Sequence, residues 1–400
     1  MSALILVNLL IASRTHLQAF YFIFWFLVTL VALSFLYVTA VLVTAQLSIT
    51  RTVTDKIEED DVLKLCAQVE NKGMFPLFNL VIEDTLACAS LEERHKRMCV
   101  DDIQPHSSRL IRYQCRCPKR GIFGIGPFAV YFFDPLGLFF LRKEYPLASE
   151  LRVHPKTFLI RKFPELRRGM LPWFGIETVR VSGDDDEFFG VREYRGGDPI
   201  KKIHWISTAR KSKLIVKQFQ RQGFFRATIL FTLERENNFG EGKDSVAEYM
   251  IKIAASVARY LIEHNIAVEL IAHDGELVHI PSSKGSQHLE SLFTFFSKAQ
   301  AHSTVSLGEM FEESFRYTPD DSSVIVIMLD QDWEYLIKVL RLEKRSVYVI
   351  PLILISSSFK YAFAERDIAK EIKIRLGREI NFMPLMFSRG DNLEEAFLRQ

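Results

Sequence analysis

Charge is missing where the chain begins. Residues 19–49, "AFYFIFWFLVTLVALSFLYVTAVLVTAQLSI", contain no Asp, Glu, Lys or Arg. A hydrocarbon layer is crossed by a helix of about 20 apolar residues, so this run is long enough for one membrane span. The same lack speaks against a buried helix of a soluble domain, which would rarely go without a polar face over so many turns. A cleaved signal peptide is not expected, because there is no basic start and the run exceeds the roughly 7–15 residues of a signal core. A shorter apolar piece, residues 3–13, comes before it, with Arg14 and His16 between the two. The pieces allow either a transmembrane hairpin or a single transmembrane helix after an interfacial segment, and the single helix is the favoured expectation. Orientation is weakly marked. Arg14 lies before the run, Arg51 and Lys56 follow it, and the acidic "EEDD" at 58–61 counts for little in the rule that keeps basic loops inside.

Cysteine is scarce. The five cysteines, Cys66, Cys88, Cys99, Cys115 and Cys117, are odd in number and confined to one segment. That excludes a disulfide-stapled scaffold and favours free thiols in a cytoplasmic compartment. The C-x-C at Cys115 and Cys117, with Cys99, His95 and His106 nearby in sequence, lacks the two C-x-x-C knuckles of a structural zinc site, so buried free thiols are expected there. No G-x-x-x-x-G-K-[ST] and no G-x-G-x-x-G follows a strand, which excludes a glycine-loop phosphate cradle. There is no H-E-x-x-H and no G-x-S-x-G elbow. No cofactor is expected.

What is present falls into successive patterns, and a multi-domain chain follows from them. Residues 1–50 form the membrane-anchoring segment. Residues 51–154 read as short strands: "VLKLCAQVE" alternates apolar and polar, "NKG" at 71–73 is a turn, and "DPLG" at 134–137 joins two apolar runs. Strands at this spacing without helices indicate an antiparallel β-sandwich. Residues 155–225 are punctuated by Gly and Pro and show little regular periodicity, yet they are too apolar and aromatic for disorder. From 226 to 400 strand and helix patterns alternate, beginning with "RATILFTLE" and a helical stretch over 244–264. That alternation indicates an α/β doubly wound domain with a mainly parallel sheet.

The densest chemistry lies in "GDDDEFFGVREYRGGDPIKKIHWISTAR", residues 183–210. Its carboxylates, Asp184, Asp185, Asp186, Glu187, Glu193 and Asp198, could pair for acid-base work in a hydrolase. The same tract carries Arg192, Arg195 and Arg210, which form charge-assisted hydrogen bonds with acids, so an internal ion-pair and aromatic network is the first expectation, a docking surface the second and a catalytic site the last. In that reading the stretch is a joint between the β-domain and the α/β domain, with Tyr194 and Trp205 packed. Residues 192–226 hold ten Lys or Arg against Glu193 and Asp198. A nucleic-acid partner is not expected, because no recognition motif accompanies the basic run; anionic lipid or an acidic protein surface fits it equally well.

The order of residues in this tract resembles a bacterial family, domain of unknown function 58. Glu187 and Phe188, Arg192, Glu193 and Tyr194, Gly197 and Asp198, Trp205, then Ala209 and Arg210, and Leu214 with Val216 follow its hallmark. Upstream, "RGIFGIGPFAVYFFDPLGLF" at 120–139 resembles the signature that closes the family's β-domain. The resemblance implies a carboxyl half similar to a von Willebrand factor type A domain. It also implies a non-enzymatic, membrane-anchored interaction or assembly factor partnered by a MoxR-type AAA+ ATPase and other envelope-associated proteins. The expected place is the cell inner membrane, in contact with membrane lipid, with the bulk of the chain cytoplasmic. An envelope binding protein facing away from the cytoplasm is a further alternative. Where a type A domain carries D-x-S-x-S, this chain has "LERENN", so a degenerate metal position near Glu234 and Glu236 is expected to hold no metal. His204 stands where the family commonly has Asp.

Overall fold

The structure is a computed structural model and describes residues 2–15, 17–54, 56–164, 179–183, 187–195, 198, 200, 203–223, 226–314, 323–332, 335, 348–360 and 384–398. The chain divides into two compact units, Met1–Lys156 and Thr157–Gln400.

The first unit opens with two helices, α1 (Ser2–Thr15) and α2 (Gln18–Thr44), which lie against each other. Both apolar pieces are therefore helical, but only α2 is long and apolar enough to cross a membrane. Only 11% of its most apolar 18-residue window is buried in the protein, which is unlike a core helix. Its carboxyl-terminal part behaves differently. Val41, Leu42 and Ala45 pack on the β core, and Ser34 Oγ donates to Asp134 Oδ2 at 2.6 Å. Asp134, in the turn read as "DPLG", also accepts from the backbone N–H groups of Leu136 and Phe139, so that motif carboxylate fastens its own turn and the helix at once.

The β part starts four residues before the expected boundary, with β1 (Leu47–Val53). The strands that follow are β2 (Ile57–Glu58), β3 (Val62–Asn71), β4 (Leu77–Leu86), β5 (His95–Ile103), β6 (Ser108–Arg116), β7 (Gly121–Phe133), β8 (Phe140–Tyr145) and β9 (Ser149–His154). One sheet has the order β1-β3-β6, the other β2-β9-β7-β4-β5 with β8 paired to β7, and every pairing except β2 with β9 is antiparallel. The two-residue period of a strand explains the shared core. On β3, Leu63, Leu65, Ala67 and Val69 turn inward while Lys64 and Gln68 between them do not, and they meet Ile82 of β4 and Phe128, Val130 and Phe132 of β7. Burying side chains of this size stabilises by roughly 1.5–3 kcal/mol each.

Arg51 is not available as a flanking charge for membrane orientation. It is buried in this unit, paired with Asp84. The positive-inside argument therefore loses one of its residues.

In the second unit the tract expected to be irregular contains a small antiparallel sheet in the order β10 (Val179–Gly183), β12 (Ile215–Gly223), β11 (Glu187–Glu193). A short helix, α3 (Trp205–Lys211), precedes β12. Glycine punctuation concealed these strands: the register of β11 shifts between Phe188 and Gly190, which breaks the alternation that would mark a strand.

The larger sheet is built from β13 (Arg226–Thr232), β14 (Ala267–His273), β15 (Leu277–Ser283), β16 (Ser323–Leu329), β17 (Tyr348–Leu354) and β18 (Leu385–Phe387). Its order is β15-β14-β13-β16-β17-β18, parallel throughout except for the edge strand β15. Described helices are α4 (Val246–Glu263), α5 (Ser286–Lys298), α6 (Leu307–Ser314), α7 (Ser356–Lys360) and α8 (Leu393–Ala396). Alternate strand residues feed two cores. Ile229, Phe231, Ile325 and Ile327 join α4 and α5 on one face; Leu230, Val324, Val326 and Met328 join Leu307 and Met310 of α6 on the other. Both faces are covered, which is why these strands read as continuous apolar runs. Two further helical patterns of the sequence, "WEYLIKVLRL" at 333–342 and "AERDIAKEIKIRLG" at 364–377, lie outside the described residues except for Tyr335.

Candidate functional site

Two clusters in the second unit gather the polar residues singled out above. The first is the hallmark tract. Arg192 forms a fork with Asp198: Nη1 donates to Oδ2 and Nη2 to Oδ1, each at 2.7 Å. Asp198 Oδ2 also accepts from the Arg195 backbone N–H at 2.9 Å, and Arg192 Nη1 donates to the Glu193 carbonyl at 3.1 Å. One guanidinium therefore closes the loop that leaves β11. Glu193 pairs with Lys213 at 3.0 Å, and the Tyr194 N–H donates to the Leu214 carbonyl, tying the loop to the entry of β12.

Further along, His204 caps α3, accepting from the Ser207 N–H on Nδ1. A capping acceptor is what an Asp would supply at this position, so the departure from the family residue keeps the local geometry. The Ile215 N–H donates to Thr208 Oγ1 at 3.0 Å, fastening α3 to β12.

Trp205 does not pack, contrary to expectation. It is 64% exposed, beside Ile206 at 65%. Ile200 and Leu214 are exposed as well, whereas Ile203, Ile215 and Val216 supply the buried contacts and Tyr194 is half-buried. Nothing in α3 is buried, because its anchorage is polar and lies at its cap and at Thr208. Ala209 and Arg210 are exposed on the same short helix. The backbones of Glu187 and Phe188 pair with Gln220 and Phe219. Gly197 and Asp184, Asp185 and Asp186 lie outside the described residues.

The Arg192 fork, followed by the Arg195 N–H, holds the Asp198 carboxyl below its ordinary value of 3.8. A depressed acid contributes stability that is fully present above that ordinary value and is lost as pH falls through the depressed one. Asp198→Asn should therefore make the 193–198 loop protease-sensitive at neutral pH, in the way that acid does in the wild type. Unchanged cleavage of the variant would mean that the fork does not hold the loop.

The second cluster sits at the carboxyl end of the large sheet. Its strands run third, second, first, fourth, fifth, sixth, so the order reverses between β13 and β16, and ligands of doubly wound sheets bind at such a point. Glu234 follows β13 there, and Asp330 and Asp332 follow β16. Asn237 donates to Glu234 Oε2, and the Leu307 N–H donates to Oε1 at 3.1 Å, from the start of α6. Asp330 is buried and accepts from the Ser356 N–H at 3.0 Å. A small cleft brings Thr232, Glu234, Asn238 and Asp332 together. Burial, then the charges of Glu234 and Asp330, push the Asp332 carboxyl up to about 7, and burial also raises Glu234. Glu236 is exposed, and the acid that lines the cleft with Glu234 is Asp332. Sequence reading missed Asp332 because it is distant along the chain; the "DQD" closing a wholly apolar strand was the available signal.

Residues 190–354 match the family model described as "Protein of unknown function DUF58", so the resemblance read from the motifs is borne out over that stretch. No curated protein matches the chain. Among solved structures, a CARDB domain from Pyrococcus furiosus is 10% identical, covering 28% of this chain and 90% of that one, with a TM-score of 0.21. The putative ApaA protein from Bordetella pertussis is 14% identical, covering 27% and 94%, with a TM-score of 0.20. Likenesses this slight carry no argument about function.

Proposed function

We propose that this chain is a non-enzymatic, membrane-anchored interaction or assembly factor that works with a MoxR-type AAA+ ATPase. The carrying observation is that Trp205, Ile206, Ile200 and Leu214 of the hallmark tract are each exposed, whereas Arg192 and Asp198 of the same tract are paired with each other. Exposed large aromatic and aliphatic side chains are the usual anchors of a protein interface. Anchoring by α2 in the cell inner membrane, with the two folded units in the cytoplasm, completes the reading; its support is the exposed, uncharged surface of that helix. The doubly wound strand order supports a von Willebrand factor type A-like domain. Against hydrolysis by the 184–198 segment, Asp198 is committed to Arg192 and Glu193 to Lys213.

The test uses the full chain in detergent and a purified MoxR-type ATPase from the same cell. The wild type should retain the ATPase, and Trp205→Ala with Ile206→Ala should release it while changing folding stability by no more than about 0.5 kcal/mol, as for surface substitutions in general. Equal retention by both proteins would sink the proposal.

A further inference from the structure

Three cysteines that are scattered in sequence meet in the first unit. Cys115 sits on β6 and Cys117 just beyond it; two residues apart on an extended chain, they face the same way. Cys88 arrives from the turn after β4, in the other sheet. All three are buried, and their sulfurs lie within 4.8 Å of one another. The neighbours suggested by sequence, Cys99, His95 and His106, are not in the group.

We infer that Cys88, Cys115 and Cys117 form a zinc site that staples the two sheets of the β unit together. The sulfur spacing suits it: a Zn–S bond of about 2.3 Å in tetrahedral geometry sets sulfurs about 3.8 Å apart, which small side-chain adjustments reach from here. An all-thiolate set selects thiophilic ions over hard ones.

Charge decides among the thiophilic ions. Zn2+ bound by three thiolates leaves a single net negative charge. Cu+ held by three thiolates would carry two, at greater cost in a buried place.

The experiment takes the full chain in detergent, reduced and stripped with chelator, and titrates Zn2+ against a chromophoric competitor with a pH indicator present. One Zn2+ per chain is expected, with release of protons and protection of three thiols from alkylation while the exposed Cys99 stays reactive. Cd2+ in place of Zn2+ should give a thiolate charge-transfer band of three-sulfur intensity. Cys88→Ser and Cys88→Ala should abolish retention; Cys99→Ser should not. Failure of the wild type to retain Zn2+ would overturn the site without reference to any variant's folding. So would undiminished retention by both Cys88 variants, or isolation of the protein, before any reductant is added, with a disulfide among the three.

Discussion

Asp84→Ala is expected to lower the unfolding free energy of the β unit by about 3–5 kcal/mol, the cost typical of breaking a buried ion pair on one side. Arg51 Nη1 lies 2.8 Å from Asp84 Oδ1, with the two side chains 1% and 0% exposed. The other carboxylate oxygen accepts from the Tyr113 hydroxyl at 2.6 Å. Arg51 Nη2 donates to the carbonyls of Ile125 and Leu147 and to Ser149 Oγ, and the guanidinium lies over the Phe128 ring. One arginine thus gathers β1, β4, β7 and β9. Without Asp84 the guanidinium is left buried and uncompensated, and the Tyr113 hydroxyl loses its acceptor. Burial pushes the Asp84 carboxyl up, against the pulls of Tyr113 and Arg51, so desolvation outweighs attraction. The pair is therefore weak as net stabilisation and costly to break. Urea unfolding of the full chain, with hydrogen exchange of β3 and β4 amides, measures the effect. Arg51→Met with Asp84→Leu should cost much less than the sum of the single changes, because no charge is then stranded. A loss below about 1 kcal/mol for Asp84→Ala would contradict the role given to Arg51.

The contrast between Arg51 and Leu65 shows what a sequence can disclose. Leu65 belongs to an alternating run, and periodicity alone puts it in the core. Arg51 is a single charge next to an apolar helix, and nothing local says that it turns into a sandwich rather than toward a membrane surface. The strands β13, β14 and β16 were legible for the same reason as Leu65: being buried on both faces they keep their apolar character for the whole length. The edge strand β15 was not, because it carries Pro281 and leaves several residues partly exposed, which removes both signals. Helix α6 is short and begins with Ser306 and Glu309 bonding reciprocally, a capping pattern without a long apolar stripe behind it. The sites failed to show for a different reason. Cys88 with Cys117, and Glu234 with Asp332, are joined by topology, and spacing along the chain is blind to that. Trp205 was misjudged because an aromatic residue is a core residue by default, and only the polar anchorage of α3 frees it.

The carboxylate pair at the sheet edge leads to the last expected result: Asp332→Asn should stabilise the protein at pH 8 by about 2–4 kcal/mol and have little effect near pH 4. The acid rises from its ordinary 3.8 to about 7, first through burial, then through the charges of Glu234 and Asp330, while the Leu329 N–H bonding Oδ2 at 3.3 Å pulls the other way. A raised acid keeps its proton in the folded chain over a range where the unfolded chain has released it. Between about 4 and 7 the folded state binds more protons, so stability falls as pH rises through that window, and the whole penalty is present above it. Asparagine carries no charge, can still accept the Leu329 N–H, and leaves a flat profile. Glu234→Gln should act through the same coupling: without that neighbouring charge the Asp332 value is lower, so the descent ends at lower pH and is shallower. Urea unfolding across pH 4 to 8 distinguishes the three proteins. Parallel curves for the wild type and Asp332→Asn would show that Asp332 ionises freely, and that the cleft between β13 and β16 holds two negative charges at neutral pH rather than a carboxylate beside a partly protonated acid.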